Sequence, residues 1–270
     1  MARRIVIASQ KGGVGKTTVA LNLSVALASR GRRVLLADLD PQGGITLALG
    51  RGETEQPGLA ELLLGQVEPT EALLHTQQTG LTILPRGRLD PADSCEYEQA
   101  LFRPGVLEGA LSRTENEADL VVLDAPAGLG LVTRAALLVS DFVLVPFQTH
   151  VLSLRSVGQV LRVVEYVEAH ENPRLRLLGI LPTLVEEGKS PSAAVLAEVW
   201  NGFPVLASHV PYAEAILHAS HRGLPVAFFA GRGSEEARRF DQLAEEVEIL
   251  LERLSRGVDA NDESRQREFL

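Results

Sequence analysis

The sequence predicts an α/β fold in which helices flank both faces of a twisted, mostly parallel sheet. Three observations lead to this prediction. Short apolar runs alternate with segments of helical periodicity along most of the 270 residues, a glycine-rich turn directly follows the first apolar run, and two later runs end in aspartate. Alternation of this kind is typical of βαβ units, whose strands are parallel, buried and joined by right-handed crossovers.

The first βαβ unit is the clearest part of the pattern. Residues 5–8 form an apolar run, residues 10–18 form the glycine-rich turn, and the helix that follows is expected to end at Gly31. A second strand is predicted over residues 34–37. In a parallel unit the turn and the end of the second strand both lie at the carboxyl edge of the sheet, where open α/β sheets bind ligands.

The remaining elements follow the same alternation. Periodicity and turn residues predict further strands over residues 81–85, 119–124, 142–146, 175–181 and 205–210. They predict helical stretches over residues 59–64, 70–74, 98–111, 154–167, 190–200 and 240–254. We expect a loop over residues 86–96 and a turn over residues 125–128.

Composition is that of a globular protein with a sizeable core. Of the residues 45% are hydrophobic and 23% are charged, so we expect one domain over residues 1–256 and a disordered polar tail over residues 257–270. No run approaches the roughly 18 apolar residues of a membrane span. The N-terminus leads into a strand instead of a signal peptide. We therefore expect a cytoplasmic protein without a membrane span.

Cysteine content and charge argue against two further classes of protein. Cys95 is the single cysteine, so neither an internal disulfide nor a cysteine-ligated iron–sulfur cluster is expected. The formal net charge of −9 argues against a uniformly basic protein that coats nucleic acid, although it is compatible with a local basic patch.

The turn after the first strand has the composition of a phosphate-binding loop. Its glycines allow backbone N–H groups to surround phosphate oxygens, Lys16 is expected to reach the β- and γ-phosphates, and the Thr17 hydroxyl is expected to meet Mg²⁺. The candidate nucleotide-binding residues are Lys11, Gly12, Gly13, Val14, Gly15, Lys16, Thr17 and Thr18. The alternative is a glycine-rich hairpin with solvated lysines, but strand, turn and helix occur in the order of a P-loop NTPase fold.

Three aspartates are expected at the same edge of the sheet. Asp124 ends the apolar run 120–123, a Walker B pattern in which a buried strand holds a carboxylate that orients a water on Mg²⁺. Asp38 and Asp40 end the second strand, and residues at i and i+2 of a strand share a face. Thr17 and Asp124 are therefore candidate metal residues, and Asp38 and Asp40 could both address the same Mg²⁺ and phosphate centre. The alternatives are a structural or helix-capping role for Asp124 and a solvated turn for the other two.

Three motifs resemble those of one family. Gln10 stands where the generic P-loop has glycine, and Lys11 is added, which gives the deviant Walker A pattern KGGxGKT. Residues 38–42 match the DxDPQ segment called switch I, and residues 124–128 resemble switch II. From Ile5 to about Leu254, the chain resembles the ParA/MinD family of deviant Walker A ATPases, with the ParA/Soj partition branch most similar.

The resemblance implies a cofactor pair and roles for site residues. It implies an ATP-bound homodimer in which Lys11 reaches the partner's phosphates, with Lys16 and Asp40 as the other catalytic residues. Asp40 would orient the attacking water, and Asp38 would join Thr17 and Asp124 as a metal residue. The cofactors would be ATP and Mg²⁺, with the adenine held near Thr183 and Pro211. The absence of the guanine-reading Asn-Lys-x-Asp motif of GTPases from the sequence favours adenine.

The resemblance also implies partners. Slow ATP hydrolysis would be stimulated by an activating protein, either ParB-like or a cargo adaptor, and the ATP dimer would bind DNA without sequence preference and associate with the nucleoid. The chain departs from the family at residues 210–214, where Val-Pro-Tyr-Ala-Glu replaces a stretch with DNA-binding arginines. Candidate DNA contacts are then Arg222 and Lys189, and a protein scaffold is the alternative surface.

Three functions remain open at this point. The first is a ParA-type switch that partitions or positions a chromosome, a plasmid or a large protein cargo. The second is a metabolic enzyme of the same superfamily that phosphorylates a small substrate. The third is a MinD-like cell-division ATPase that cycles on membranes. A membrane-cycling protein of that type needs a basic amphipathic C-terminal helix, whereas this end of the chain is rich in glutamate and aspartate.

Overall fold

A seven-stranded sheet organises the protein. The computed structural model describes residues 2–45, 56–148, 154–186 and 203–255. The strands are β1 (Arg3–Ser9), β2 (Val34–Asp38), β3 (Leu74–His75), β4 (Leu81–Leu84), β5 (Leu120–Ala127), β6 (Phe142–Gln148) and β7 (Arg176–Thr183). Their spatial order is β3-β4-β2-β5-β1-β6-β7, and every neighbouring pair is parallel except β3 with β4. The predicted α/β fold is confirmed.

Helices cover both faces of the sheet. They are α1 (Lys16–Ser29), α2 (Leu59–Leu63), α3 (Ser94–Phe102), α4 (Val106–Thr114), α5 (Leu131–Val139), α6 (Leu154–His170), α7 (Glu214–His221), α8 (Val226–Phe229) and α9 (Glu235–Ser255). One core cluster joins the sheet to α2 through α6, and the other joins it to α1 and to α7 through α9. Within the described ranges, no helix is long and apolar enough to cross a membrane.

The central strands are buried on both faces because their apolar runs are continuous. Val6 of β1 belongs to one core cluster, whereas Ile5 and Ile7 belong to the other. This is the period of two that a strand imposes. Along β5, Asp124 pairs with Ile7 on one side and with Asp38 on the other. The ends of β1, β2 and β5 therefore meet at one edge.

Five predicted elements are wrong in type or extent. Residues 70–74 are not helical, since Leu74 begins the short antiparallel strand β3, and the Thr76 hydroxyl closes its turn by donating to the Leu81 carbonyl. The helix predicted over 98–111 is two helices, α3 and α4, because Pro104 lacks an N–H and Gly105 adopts a φ of 78°. The turn predicted at 125–128 begins later, because β5 continues to Ala127.

The fourth is the strand predicted over residues 205–210. Isolated bridges from Val205 to Ile180 and from Pro211 to Val185, and a hydrogen bond from the Val210 amide to the Pro182 carbonyl, connect this stretch to β7 and the residues after it without forming a continuous strand over residues 205–210. The loop predicted over 86–96 ends early, in a 3₁₀ turn at Pro91–Asp93 and the start of α3. The sequence pattern also missed α5, α7 and α8. The helix predicted over 190–200 and the tail over 257–270 lie outside the described residues.

A buried ion pair anchors the amino end of β1. Arg4 is 4% exposed, and its guanidinium donates through Nε and Nη2 to the two carboxylate oxygens of Glu115, at 2.8 and 2.9 Å. A further nitrogen, Nη1, contacts Glu108 and the Val139 carbonyl. This network ties β1 to α4 at the edge of the sheet opposite the glycine-rich turn.

We predict that Arg4→Met destabilises the protein by about 3 kcal/mol, because the Glu115 carboxylate would remain buried without its partner. Urea unfolding measures the change, and the double variant Arg4→Met/Glu115→Leu should recover most of the loss. Arg33→Met is the control, since its pair with Asp119 is exposed and should contribute far less. Equal losses in the two single variants would contradict the assignment.

Candidate phosphate and metal site at the carboxyl edge of the sheet

The glycine-rich turn joins β1 to α1 in a conformation that leaves backbone amides available. Gly13 and Gly15 have φ values of 74° and 87°, a left-handed region that glycine adopts without strain. Gly15 is the N-cap of α1, and no side chain caps that helix end. The first N–H groups of a helix lack intrahelical partners and carry the positive end of its dipole. The turn is therefore built as an anion site.

Two hydroxyl groups, one at the end of β1 and one at the end of β7, hold the turn in place. The Ser9 hydroxyl at the end of β1 donates to the Lys11 carbonyl at 2.8 Å. The Thr183 hydroxyl at the end of β7 donates to the Val14 carbonyl, also at 2.8 Å, and Thr183 is 1% exposed. Thr183 thus supports the phosphate loop, and its predicted contact with adenine stays a prediction.

Lys16 lies in the middle of this edge. It is 7% exposed, and burial lowers its pKa from the ordinary lysine value, while the charges of Asp124 and Asp40 raise it. Two of the three candidate aspartates therefore lie within electrostatic reach of the lysine ammonium, as the sequence pattern predicts.

The Asp124 carboxyl group is buried with little compensation for its charge. Both of its carboxylate oxygens are buried and lack a hydrogen-bond partner in the described part of the chain. Burial, and after it the charge of Asp38, raises the pKa of Asp124 well above its ordinary value, whereas the nearby Thr17 hydroxyl and Lys16 lower it. The Thr17 hydroxyl is thus close to the carboxylate without satisfying either oxygen.

These donors fit a hard divalent cation. Asp38 and Asp124 are both fully buried and lie opposite each other in the register of β2 and β5. Two carboxylates and a hydroxyl are oxygen donors of the kind that Mg²⁺ takes alongside substrate phosphates and water. The unpaired oxygens of Asp124 are the observation that favours a cation here, because a buried unpaired carboxylate is costly.

The segment from Asp38 to Ile45 folds over Thr17. The two oxygens of Asp38 accept the amides of Asp40 and Ile45, at 3.2 and 3.1 Å. Gly44 packs so closely that a Cβ added there would lie 3.1 Å from the Thr17 Oγ1. The segment therefore sits directly beside the predicted metal and phosphate residues.

Asp40 lies in a turn of its own within that segment. Its Oδ1 accepts the Gln42 amide at 2.9 Å, and its carbonyl accepts the Gly43 amide at 2.8 Å. The bond from Gln42 fixes the direction of the half-buried carboxylate, and the bond from Gly43 closes the backbone turn. The charge of Asp40 raises the pKa of Lys16. The turn chemistry is that of an aspartate whose side chain bonds the backbone two residues on.

The other predicted residues lie around this centre. Gly12 and Gly13 are exposed and Lys11 is half-buried at the loop entrance. The Thr18 hydroxyl is 3.3 Å from that of Ser220 on α7. Pro211 forms its bridge with Val185, just beyond β7. Of the two candidate DNA contacts, Arg222 is exposed at the end of α7 and Lys189 lies outside the described residues.

Two residues that contact the 38–45 segment were missed by the sequence analysis. Arg86 donates to the Pro41 carbonyl, and the Tyr97 hydroxyl lies 3.5 Å from the Leu39 carbonyl. A signal for Arg86 existed, because it comes two residues after β4, and the carboxyl ends of parallel strands share one edge. No local motif marks Tyr97.

Comparison with known proteins gives a consistent family. A family model described as an AAA domain matches residues 2–177. The chromosome-partitioning ATPase Soj of Thermus thermophilus is 40% identical over 248 residues, which cover 91% of this chain and 95% of that protein. The chromosome partitioning protein ParA of Caulobacter vibrioides is 34% identical over 232 residues, which cover 84% of this chain and 87% of that protein.

Solved structures agree with the fold, and one of them is of an enzyme that is named as a synthase. The cobyrinic acid a,c-diamide synthase of Mycobacterium smegmatis with bound ADP and magnesium is 36% identical, with a TM-score of 0.76, over 95% of this chain and 97% of that one. The cell division ATPase MinD of Pyrococcus furiosus is 30% identical, also with a TM-score of 0.76, over 93% of this chain and all of that one. Motifs, fold and relatives together identify the chain as a member of the ParA/MinD family of P-loop ATPases, with its similarity on the side of the ParA/Soj partition branch.

Proposed function

We propose that this protein is an ATP-dependent dimerising switch of the ParA type, which hydrolyses ATP slowly and thereby partitions or positions DNA or a large protein cargo. The observation that carries the proposal is the convergence of Lys16, Asp40 and the unpaired Asp124 carboxylate beside a glycine turn with Lys11 at its entrance. The sequence similarity to ParA and Soj supports the same function.

Nucleotide binding follows from the chemistry of the turn. The free amides at the start of α1 and the buried Lys16 ammonium suit the β- and γ-phosphates of ATP. Thr17, Asp38 and Asp124 would hold Mg²⁺, which when bound neutralises charge on the phosphates. Adenine would lie between Thr183 and Pro211, at the ends of two segments that the bridge between Val185 and Pro211 joins.

Hydrolysis requires a water held in line with the γ-phosphate, and we assign that task to Asp40. Its carboxylate direction is fixed by the Gln42 amide, and it lies within electrostatic reach of Lys16. A switch leaves part of the catalytic arrangement to a partner, so the intrinsic rate should be slow and an activating protein, ParB-like or a cargo adaptor, should raise it. We place this cycle in the cytoplasm, with association to the nucleoid if DNA is the surface.

Specific observations favour two alternative functions. The similarity to a cobyrinic acid a,c-diamide synthase favours an enzyme that uses ATP on a small substrate. The similarity to MinD favours a membrane-cycling ATPase, yet α9, the last described helix, carries Glu245, Glu246, Glu248 and Glu252. Those charges oppose binding to an anionic membrane surface. Rapid ATP turnover without any protein partner would favour the small-substrate enzyme.

The first test separates binding from turnover. Lys16→Ala should weaken ATP binding by roughly 100-fold, because a buried phosphate charge loses its partner. Asp40→Ala should bind ATP with its affinity nearly unchanged while hydrolysis falls by roughly 100-fold or more. Calorimetry with a non-hydrolysable analogue and phosphate release measure the two effects. A fully active Asp40→Ala protein would show that the assignment is wrong.

The second test concerns dimerisation. With ATP, the Asp40→Ala protein should accumulate as a dimer, whereas Lys11→Ala/Asp40→Ala should bind ATP but stay monomeric, because Lys11 is expected to serve the partner's phosphates. Sedimentation velocity at micromolar concentration, with ADP as the control, measures the oligomeric state. A monomer in every nucleotide state would contradict the dimer switch.

The third test asks whether DNA is the surface. Dimerisation doubles any basic patch, and two weak patches on one rigid dimer bind together far better than either alone. We therefore expect the ATP-bound Asp40→Ala dimer to bind long duplex DNA without sequence preference, and to lose affinity steeply as salt displaces it from phosphates. Arg222→Gln should weaken binding. No binding at low salt would favour a protein scaffold instead.

A further inference from the structure

The turn that carries Asp40 has a second anchor, which comes from the end of β4. The Arg86 guanidinium donates through Nη1 to the Pro41 carbonyl and through Nε to the Gly87 carbonyl, the latter at 3.1 Å. It also lies flat against the turn, since a Cβ built on Gly43 would be 3.1 Å from the Arg86 Cζ. Arg86 thus bonds to the carbonyl that precedes Gln42 and lies beside Gly43, which follows it.

The backbone of Arg86 is held firmly by helix α2. Its carbonyl accepts the Ala60 amide at 2.9 Å, and the carbonyl of Pro85 accepts the Leu59 amide at 2.8 Å. The buried Glu61 accepts the amides of Gly58 and Arg88, at 2.9 and 3.1 Å. We call residues 85–88 the strand-end platform. An arginine whose backbone is held in this way can fix the position of the group that its side chain contacts.

A buried tyrosine also contacts the segment of residues 38–45. Tyr97 is 5% exposed, and its hydroxyl faces the Leu39 carbonyl at 3.5 Å. Burial and the charge of Asp38 raise the pKa of Tyr97 well above its ordinary value, and Arg86 lowers it. The phenol is therefore neutral and lies close to both Asp38 and Arg86.

We propose that Arg86 is a positioning residue for ATP hydrolysis, which holds the turn of residues 40–43 so that Asp40 keeps the direction that catalysis needs. A hydrogen bond from a guanidinium is stronger than one between neutral groups. A displacement of about 1 Å in a group that positions the reactants can lower a rate by about 100-fold. The consequence for turnover rests on the proposed function, whereas the contact between Arg86 and the turn does not.

The experiment measures the turn and the reaction separately in the full-length protein. Arg86→Gln removes the guanidinium group that bonds to the turn, and Arg88→Gln is the matched control. Arg88 also belongs to the platform, but its side chain pairs with Glu61 and has no hydrogen bond to the turn. Glu61 keeps its two backbone amide donors in the control. Urea unfolding verifies that each variant is folded.

Hydrogen exchange reports on the turn without any need for turnover. The amides of Gln42 and Gly43, which bond to Asp40, should exchange at least about tenfold faster in Arg86→Gln and at the original rate in Arg88→Gln. In the same proteins kcat for ATP hydrolysis should fall about tenfold or more in Arg86→Gln alone. The Kd for ATP should change by less than about threefold, because the phosphate contacts remain.

Each outcome bears on one proposal. Unchanged amide exchange and unchanged kcat in folded Arg86→Gln would overturn the positioning role. An equal fall of kcat in Arg88→Gln would also overturn it, and so would a large loss of ATP affinity in Arg86→Gln. If the unmodified protein does not hydrolyse ATP at all, the proposed function fails, and the exchange rates alone still decide whether Arg86 holds the turn. If Arg86→Gln does not fold, Arg86→Lys, which keeps the charge without the planar fork, is measured in the same way.

Discussion

The buried, unpaired carboxyl group of Asp124 is the constraint on which the rest of this edge depends. Its two oxygens have no hydrogen-bond partner in the described part of the chain, while Asp38 beside it accepts two amides. Burial and Asp38 raise its pKa in the folded state, so the folded protein binds that proton more tightly than the unfolded chain does. Stability is then lost as the pH rises through the interval between the two pKa values. Ionised Asp124 opposes folding until a cation compensates it, and Lys16 does this only in part.

The sheet explains how such a costly arrangement is maintained. Asp38 and Asp124 are paired in the register of β2 and β5, and the core clusters on both faces hold those strands. Burial of continuous apolar runs contributes roughly 25 cal/mol per Å² of apolar surface, which over a core of this size can offset one uncompensated carboxylate. The site is thus positioned by residues that take no part in its chemistry, and its own charges weaken the fold.

The parts that could be predicted from the sequence are those with local causes. Apolar runs that end in Asp38 and Asp124 predict both the strands and the edge they share, and the glycines of residues 12–15 predict the turn. The break between α3 and α4 also has a local cause, Pro104 followed by Gly105, which the apolar periodicity across it obscured. By contrast β3 has only two residues, and its strand identity comes from pairing with β4. The intrinsic strand propensity of two residues cannot show such a pairing.

The place of Arg86 just after β4 could be predicted from the sequence, whereas its contact with the site could not. Its contact with the Pro41 carbonyl joins positions 45 residues apart, and it depends on the β2–β4 pairing and on the way α2 binds residues 85–88. A loop of mixed charge gives no sign of which of its arginines is anchored. The neighbouring Arg88 directs its guanidinium to Glu61 instead, a difference that appears only in the folded chain.

These contacts also define how a change at Asp38 or Asp124 can affect the residues of the 38–45 segment. The segment that begins at Asp38 is tied to β5 by the Leu39 amide, which donates to the Asp124 carbonyl at 3.0 Å, and to the end of β4 by Arg86. Any ligand that alters Asp38 or Asp124 therefore acts on a segment held from both sides. Coupling between two sites requires a shared element whose position both can bias. Residues 38–45 meet that physical requirement, because both ends of the segment contact the predicted metal residues while its middle, at Pro41, contacts a platform fixed to α2.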